Sequence, residues 1–261
     1  MKIAKEIKNN TFDFKLGETC QKAGTIAYHS INEATKLVID KQYDALVTLP
    51  ISKTAIHLYN KQFIGHTEFI TNLCKKKQSM MILFTETLRV ALVTIHIPLY
   101  KVSKQITSKK LRTLIKNFNI ILKKDFAIPT PRIAMLGLNP HSGDNGMFGN
   151  HEQQILIPAI EVMKKKGVNI EGPFAADGFF ASQNYQHFDG VIAMYHDQGL
   201  IPLKMLAKGG GVNFTANLPI VRTSPDHGTA FDIAGKNIAN WQSMSEAIHF
   251  AIELSERRKK Y

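Results

Sequence analysis

At 261 residues and 44% hydrophobic content, the chain is long enough for one large or two modest α/β domains and too apolar to be disordered by composition. Its net charge of +12 rests mainly on lysine, in clusters at 75–77, 109–110, 123–124, 164–166 and 259–260 that carry no interleaved aromatics. That dispersal disfavours a nucleic-acid partner and suits attraction of anionic small molecules. Two cysteines without paired spacing, Cys20 and Cys74, exclude a disulfide scaffold and fit a reducing cytosol, and no apolar run approaches the length of a membrane span.

Taken in order, the first dozen residues are polar, with a turn predicted at Asn9-Asn10 and no apolar core of a signal peptide. From 18 to 39 the apolar positions Ala23, Ile26, Ala27, Ile31, Ala34, Leu37 and Val38 recur at threes and fours, predicting an amphipathic helix. A buried strand follows at 43–49, then short helices at 54–59 and 67–74, and two strands at 80–84 and 89–94. A helix is predicted at 108–124, with Leu111, Leu114, Ile115, Phe118 and Ile121 inward, then a strand at 133–138 and a loop rich in Gly and Asn through Asn150. A helix at 151–166 and strands at 190–194 and 219–222 come next. The pattern Ser243-Met-Ser-Glu246 reads as a capping box opening a last helix with Ala247, Ile248, Ala251 and Ile252 inward. Strands alternating with helices imply an α/β fold with a mostly parallel sheet.

The residues with chemistry concentrate where such a fold places it, just after short apolar runs. His96 follows ALVTI, His141 sits in NPHSGD and His196 follows VIAMY. One histidine at a strand end is ordinarily structural; three in comparable settings point to a shared divalent metal, zinc first. His151-Glu152 opens like a zincin motif, but position 155 is Ile, so that motif is absent. Gly65-His66-Thr67-Glu68 precedes a helical pattern, where Thr67 can cap the helix and the same helix end can take an anion. Lys204, Asn213 and Arg222 follow His196, with surface salt bridges as the alternative use of the two cations. No GxGxxG occurs, so a Rossmann fingerprint is excluded.

The segments PISK at 50–53, GHTE at 65–68, LRVALVTIHIP at 88–98, LNPHSGDNG at 138–146 and the stretch 194–236 resemble, in order, the signature segments of the 4-hydroxythreonine-4-phosphate dehydrogenase family of pyridoxal phosphate synthesis. The resemblance implies two α/β/α domains like those of isocitrate and isopropylmalate dehydrogenases, with the active site in the cleft between them. It assigns 1–60 with 200–261 to a cofactor-side domain and 61–199 to a metal and dimerisation domain. His96, His141 and His196 match the family's metal ligands (zinc first, magnesium or cobalt as alternatives), in a site shared across a homodimer. His66, Thr67, Lys204, Asn213 and Arg222 match its substrate-binding positions. The turn from Asp226 to Lys236 is similar to the NAD-binding loop of those remote relatives, which makes His227, Gly228 and Asp232 cofactor candidates; a carboxylate at Asp232 favours NAD over NADP.

The implied reaction is NAD-dependent oxidation of 4-phosphohydroxy-L-threonine followed by decarboxylation, in the cytoplasm, with no nucleic acid or membrane partner. Lys204, Asp197 and Asp177 are the candidate proton acceptors. The alternatives are a sister dehydrogenase of threonate or erythronate 4-phosphate, and a non-catalytic remnant that binds metal and phosphorylated metabolites. Family members begin with a strand and a Gly-Asp-Pro-Ala-Gly-Ile-Gly-Pro-Glu-type loop, and neither is found in these residues. The corresponding expectation is that metal and substrate binding outlast cofactor binding and turnover.

Overall fold

The computed structural model describes residues 15–260, so the turn predicted at Asn9-Asn10 lies outside the described residues. Eight strands form one sheet: β1 (Ala45–Val47), β2 (Met80–Phe84), β3 (Arg89–Leu92), β4 (Ile133–Leu136), β5 (Ile170–Phe174), β6 (Gly190–Ala193), β7 (Val212–Ala216) and β8 (Val221–Pro225). Their order is β1-β8-β7-β2-β3-β6-β4-β5. The helices are α1 (Gln21–Ile39), α2 (Lys53–Tyr59), α3 (His66–Leu73), α4 (Val102–Gln105), α5 (Ser108–Lys124), α6 (Ile157–Lys164), α7 (Ala176–Ala181), α8 (His196–Ala207) and α9 (Gln242–Lys259).

Connection length decides pairing. The short links 85–88 and 217–220 make β2/β3 and β7/β8 antiparallel hairpin partners, whereas strands separated by helices, β3/β6, β6/β4 and β4/β5, pair in parallel. The antiparallel run β8-β7-β2-β3 therefore sits between two parallel flanks. Alternate strand residues feed opposite faces. Ile82, Phe84, Ala91, Ile133, Met135 and Ile192 pack under α5, α6 and α9; Leu83, Val90, Leu92, Ala134 and Val191 pack with Leu200 and Leu203 of α8. A third cluster joins Ile31 and Val38 of α1 and Ile70 of α3 to Leu46 and Ile220 at the β1–β8 edge.

Several expectations change on contact with the structure. The final helix begins at Gln242, and Ser243 caps nothing: its buried hydroxyl donates to the Gly211 carbonyl at 2.6 Å and accepts from Asp226 N–H at 3.1 Å. Ile248 and Ile252 face solvent, and Phe250 and Leu254 take the inward positions beside Ala247 and Ala251. The helix expected over 151–166 starts as a π-helical turn, Glu152–Leu156, before α6. Thr67 does not cap α3, which Gly65 precedes instead. Strands β5 and β7 and helix α8 are additions, α8 despite Gly199 and Pro202 within it.

Candidate functional site

β3 and β6 run in parallel with Leu92 opposite Ala193, so the residues that follow leave the sheet at the same edge. Thr94 ties the two exits together: its N–H and hydroxyl both donate to the Met194 carbonyl, at 3.1 and 2.7 Å. This brings His96 and His196 face to face, ring centres 5.8 Å apart and planes tilted by 42°. Two imidazoles bound to one zinc at about 2.0–2.1 Å hold their centres on the order of 5–6 Å apart, so the pair fits a shared metal. Burial, then His196 and Lys53, push the His96 imidazolium down, which leaves a neutral ring with a lone pair to donate. His196 Nδ1 lies 2.7 Å from the Asp197 carboxylate, leaving Nε2 as its free face.

His141 is not brought to this pair within one chain. Among the described residues no group of three His, Cys, Asp or Glu side chains could hold a metal. The residue sits in the loop leaving β4, where His141, Ser142, Asp144 and Asn145 all adopt positive φ (50°, 53°, 38° and 55°) around Gly143. His141 is exposed, its ring 5.9 Å from that of Phe148. Gln198, two residues beyond His196, links the exits of β4 and β6 by donating to the Gly137 carbonyl and accepting from Met194 N–H, both at 2.7 Å.

On the other flank of the sheet, antiparallel pairing sets Arg222 of β8 against Thr215 of β7. Arg222 is 2% exposed. Its guanidinium donates to the hydroxyls of Thr215 at 3.0 Å and Thr48 at 2.6 Å, and among the described residues it meets no carboxylate. Burial alone depresses its pKa to about 10. An unpaired cation so placed costs on the order of several kcal/mol unless an anion completes it. Four buried side-chain polar atoms among the described residues lack any partner, and three of them belong to expected substrate residues: His66 Nε2, Asn213 Oδ1 and Arg222 Nε. The fourth is Arg89 Nε. His66, at the start of α3, is depressed to about 3 by burial, then by Arg222 and Lys53, so its ring is neutral.

The remaining candidates are less enclosed. A cavity of about 790 Å³ is walled by Leu16, Cys20, Leu49, Pro50, His227 and Gly228, among others. Asp232 is exposed in the turn Phe231–Ile233 and lies outside that wall. Lys204 on α8 and Asp177 on α7 are exposed, and among the described residues neither makes a side-chain hydrogen bond or ion pair.

The sequence matches the family described as pyridoxal phosphate biosynthetic protein PdxA over residues 2–251. The chain belongs to the PdxA family. It is 48% identical to 4-hydroxythreonine-4-phosphate dehydrogenase of Bacteroides thetaiotaomicron, covering 91% of this chain and 66% of that protein. It is 41% identical to D-threonate 4-phosphate dehydrogenase of Pectobacterium atrosepticum, covering 92% of this chain and 74% of that one. A crystal structure of 4-hydroxythreonine-4-phosphate dehydrogenase from Klebsiella pneumoniae shares the fold with TM-score 0.82 at 40% identity, covering 93% of this chain and 74% of that chain. The chain thus spans just under two thirds of the Bacteroides relative, 66% of its length.

In this PdxA-family chain, Lys53 stands near two of the expected site histidines, although motif reading gave it no role. It opens α2, whose first turn Ser52 caps by accepting from Ala55 N–H at 3.1 Å. Its side chain crosses Gly65, where an added Cβ would meet Lys53 Cε at 3.4 Å. The cation therefore acts on both His66 and His96. The signal was present in PISK, but a lone lysine at a helix start looks like any surface lysine. Thr48 and Thr215, which cradle Arg222, carry no motif at all.

Proposed function

We propose that this chain performs the NAD-dependent oxidation of 4-phosphohydroxy-L-threonine to 2-amino-3-oxo-4-phosphooxybutyrate, which decarboxylates to 3-amino-2-oxopropyl phosphate in pyridoxal 5′-phosphate synthesis. The observation that carries this reading is the buried, carboxylate-free Arg222, whose charge acts on the unpartnered His66 ring, with a further unpartnered atom on Asn213 of the adjoining strand. A phosphate supplies the negative charge and acceptor oxygens this set lacks. Arg222 grips it, Asn213 and the α3 end at His66 and Thr67 orient it, and Lys204 reaches the substrate from α8. Remote binding of this kind fixes the reacting carbon against the histidine pair.

His96 and His196 hold a divalent cation, zinc first, with His141 arriving from a second copy in a homodimer. Such a cation would supply Lewis acidity at the substrate hydroxyl, and NAD, held beside it, would supply the hydride acceptor. His227 and Gly228 flank the cofactor space, with Asp232 offered to its ribose. Asp197 acts by orienting His196, which leaves Lys204 or Asp177 to take the hydroxyl proton. Free cysteines at Cys20 and Cys74 support a cytoplasmic location. No helix among the described residues is long and apolar enough to cross a membrane.

The Pectobacterium relative favours a second reading, D-threonate 4-phosphate as substrate. Both phosphates present the same anion to Arg222 and differ in the group beside the hydroxyl. Purified protein with zinc and NAD should reduce NAD with 4-phosphohydroxy-L-threonine faster than with D-threonate 4-phosphate. The reverse ranking selects the second reading, and binding of both without NADH formation selects a non-catalytic protein.

A further inference from the structure

Glu152 is 1% exposed, one of the most deeply buried acids in the chain. Its Oε1 accepts from the backbone N–H groups of Leu138 and Asn139, both at 2.8 Å, and its Oε2 accepts from Asn139 Nδ2 at 2.9 Å. These donors lie at the entrance of the loop that carries His141. Beyond them the chain makes its run of four non-glycine residues at positive φ, around Gly143. Each such residue is strained and persists only where its surroundings over-determine it. Gly143 packs so near the carboxylate that a Cβ there would lie 2.7 Å from Glu152 Oε2. Glu152 also begins the π-helical turn Glu152–Leu156, a local widening that recurs at functional sites. Ser142 closes the loop from the other side by donating to the Pro173 carbonyl at 3.0 Å.

We propose that Glu152 is a positioning residue for His141, its carboxylate clamping the amides of Leu138 and Asn139 and so holding the left-handed loop that presents the imidazole. The proposal rests on the reading of His141 as a metal ligand given above. Glu152 touches neither metal nor substrate. It acts by removing the loop's freedom before binding, as residues behind a metal ligand do, where their loss weakens affinity about 10–100-fold.

The test compares zinc affinity, by competition with a chromophoric chelator, in the wild type, E152A, E152Q and H141A. We expect E152A to lose about 10–100-fold in affinity and E152Q to keep most of it, because the amide oxygen still accepts both backbone N–H groups. In metal-free E152A, amide exchange should quicken across 138–148 while β4 and β6 stay protected. Cobalt-loaded E152A should show an altered visible spectrum, which a general loss of stability would not produce. If E152A fails to fold, N139A, which removes the side-chain contact alone, should weaken zinc several-fold. Wild-type affinity in E152A, or in N139A where it replaces it, with affinity lost in H141A, overturns the positioning role and leaves the ligand reading standing. Wild-type affinity in H141A overturns both.

Discussion

His66 and Arg222 are two polar groups buried against each other's interest, a neutral imidazole and a cation with no counter-ion between them. The depression of His66 from its ordinary 6.5 to about 3 has a sign that can be checked. Between those values the unfolded chain binds a proton that the folded chain refuses, so stability falls as pH drops through that window and is flat above it. H66Q should flatten that dependence in urea midpoints measured across the range. Adding inorganic phosphate reverses the local field, so the His66 resonance should titrate at higher pH in its presence; an unmoved titration contradicts a phosphate beside it. K53M removes one of the two cations acting on His66 and should likewise raise its titration point. Much of this site was legible in sequence because arginine is scarce, six in the chain, and Arg222 ends an apolar run. Its hydroxyl cradle was not legible, since Thr48 and Thr215 gain meaning only through the pairing of β8 with its two neighbours.

At the level of elements, strongly periodic segments such as α5 and α1 matched their expected spans closely, because burial of one helix face sets the spacing of apolar residues. β5 and β7 were missed because Gly and Pro in IEGPF and the glycines before VNFTA read as turn signals. α8 was missed for a similar reason. Gly199 there serves close approach, since a Cβ would lie 2.7 Å from Val90 Cγ1 and crowd the helix off the sheet. The same logic holds where α1 crosses α2: a Cβ on Gly24 would overlap the Ala55 carbonyl, a backbone group that cannot step aside. G24A should therefore destabilise the protein by about 1–3 kcal/mol, as overpacking does, read as a lowered urea midpoint at unchanged m. A midpoint equal to wild type would show that the two helices separate freely.

For the molecule as a whole, the sheet delivers the ends of β3, β6 and β4 to one edge, yet only two of the three histidines meet. The third stands on a loop beside Met147 at 76% and Phe148 at 47% exposure, and Leu99 and Tyr100 are 70% and 74% exposed beyond His96. A second copy docking here would cover these side chains and bring the third histidine to the pair, which is the homodimer proposed above. Sedimentation with zinc present should therefore give a dimer at micromolar concentration, and H141A should bind zinc poorly whether or not it still dimerises. A monomer that binds zinc tightly contradicts the shared site.

In the proposed reaction Arg222 is buried without a carboxylate because substrate phosphate completes it. Calorimetric titration of 4-phosphohydroxy-L-threonine into wild type and R222K tests this directly, since lysine keeps the charge but loses the planar fork. R222K should lose at least about tenfold in affinity, or about 1.4 kcal/mol, with zinc content unchanged. Equal affinity in the two proteins would contradict it and return Arg222 to a structural role.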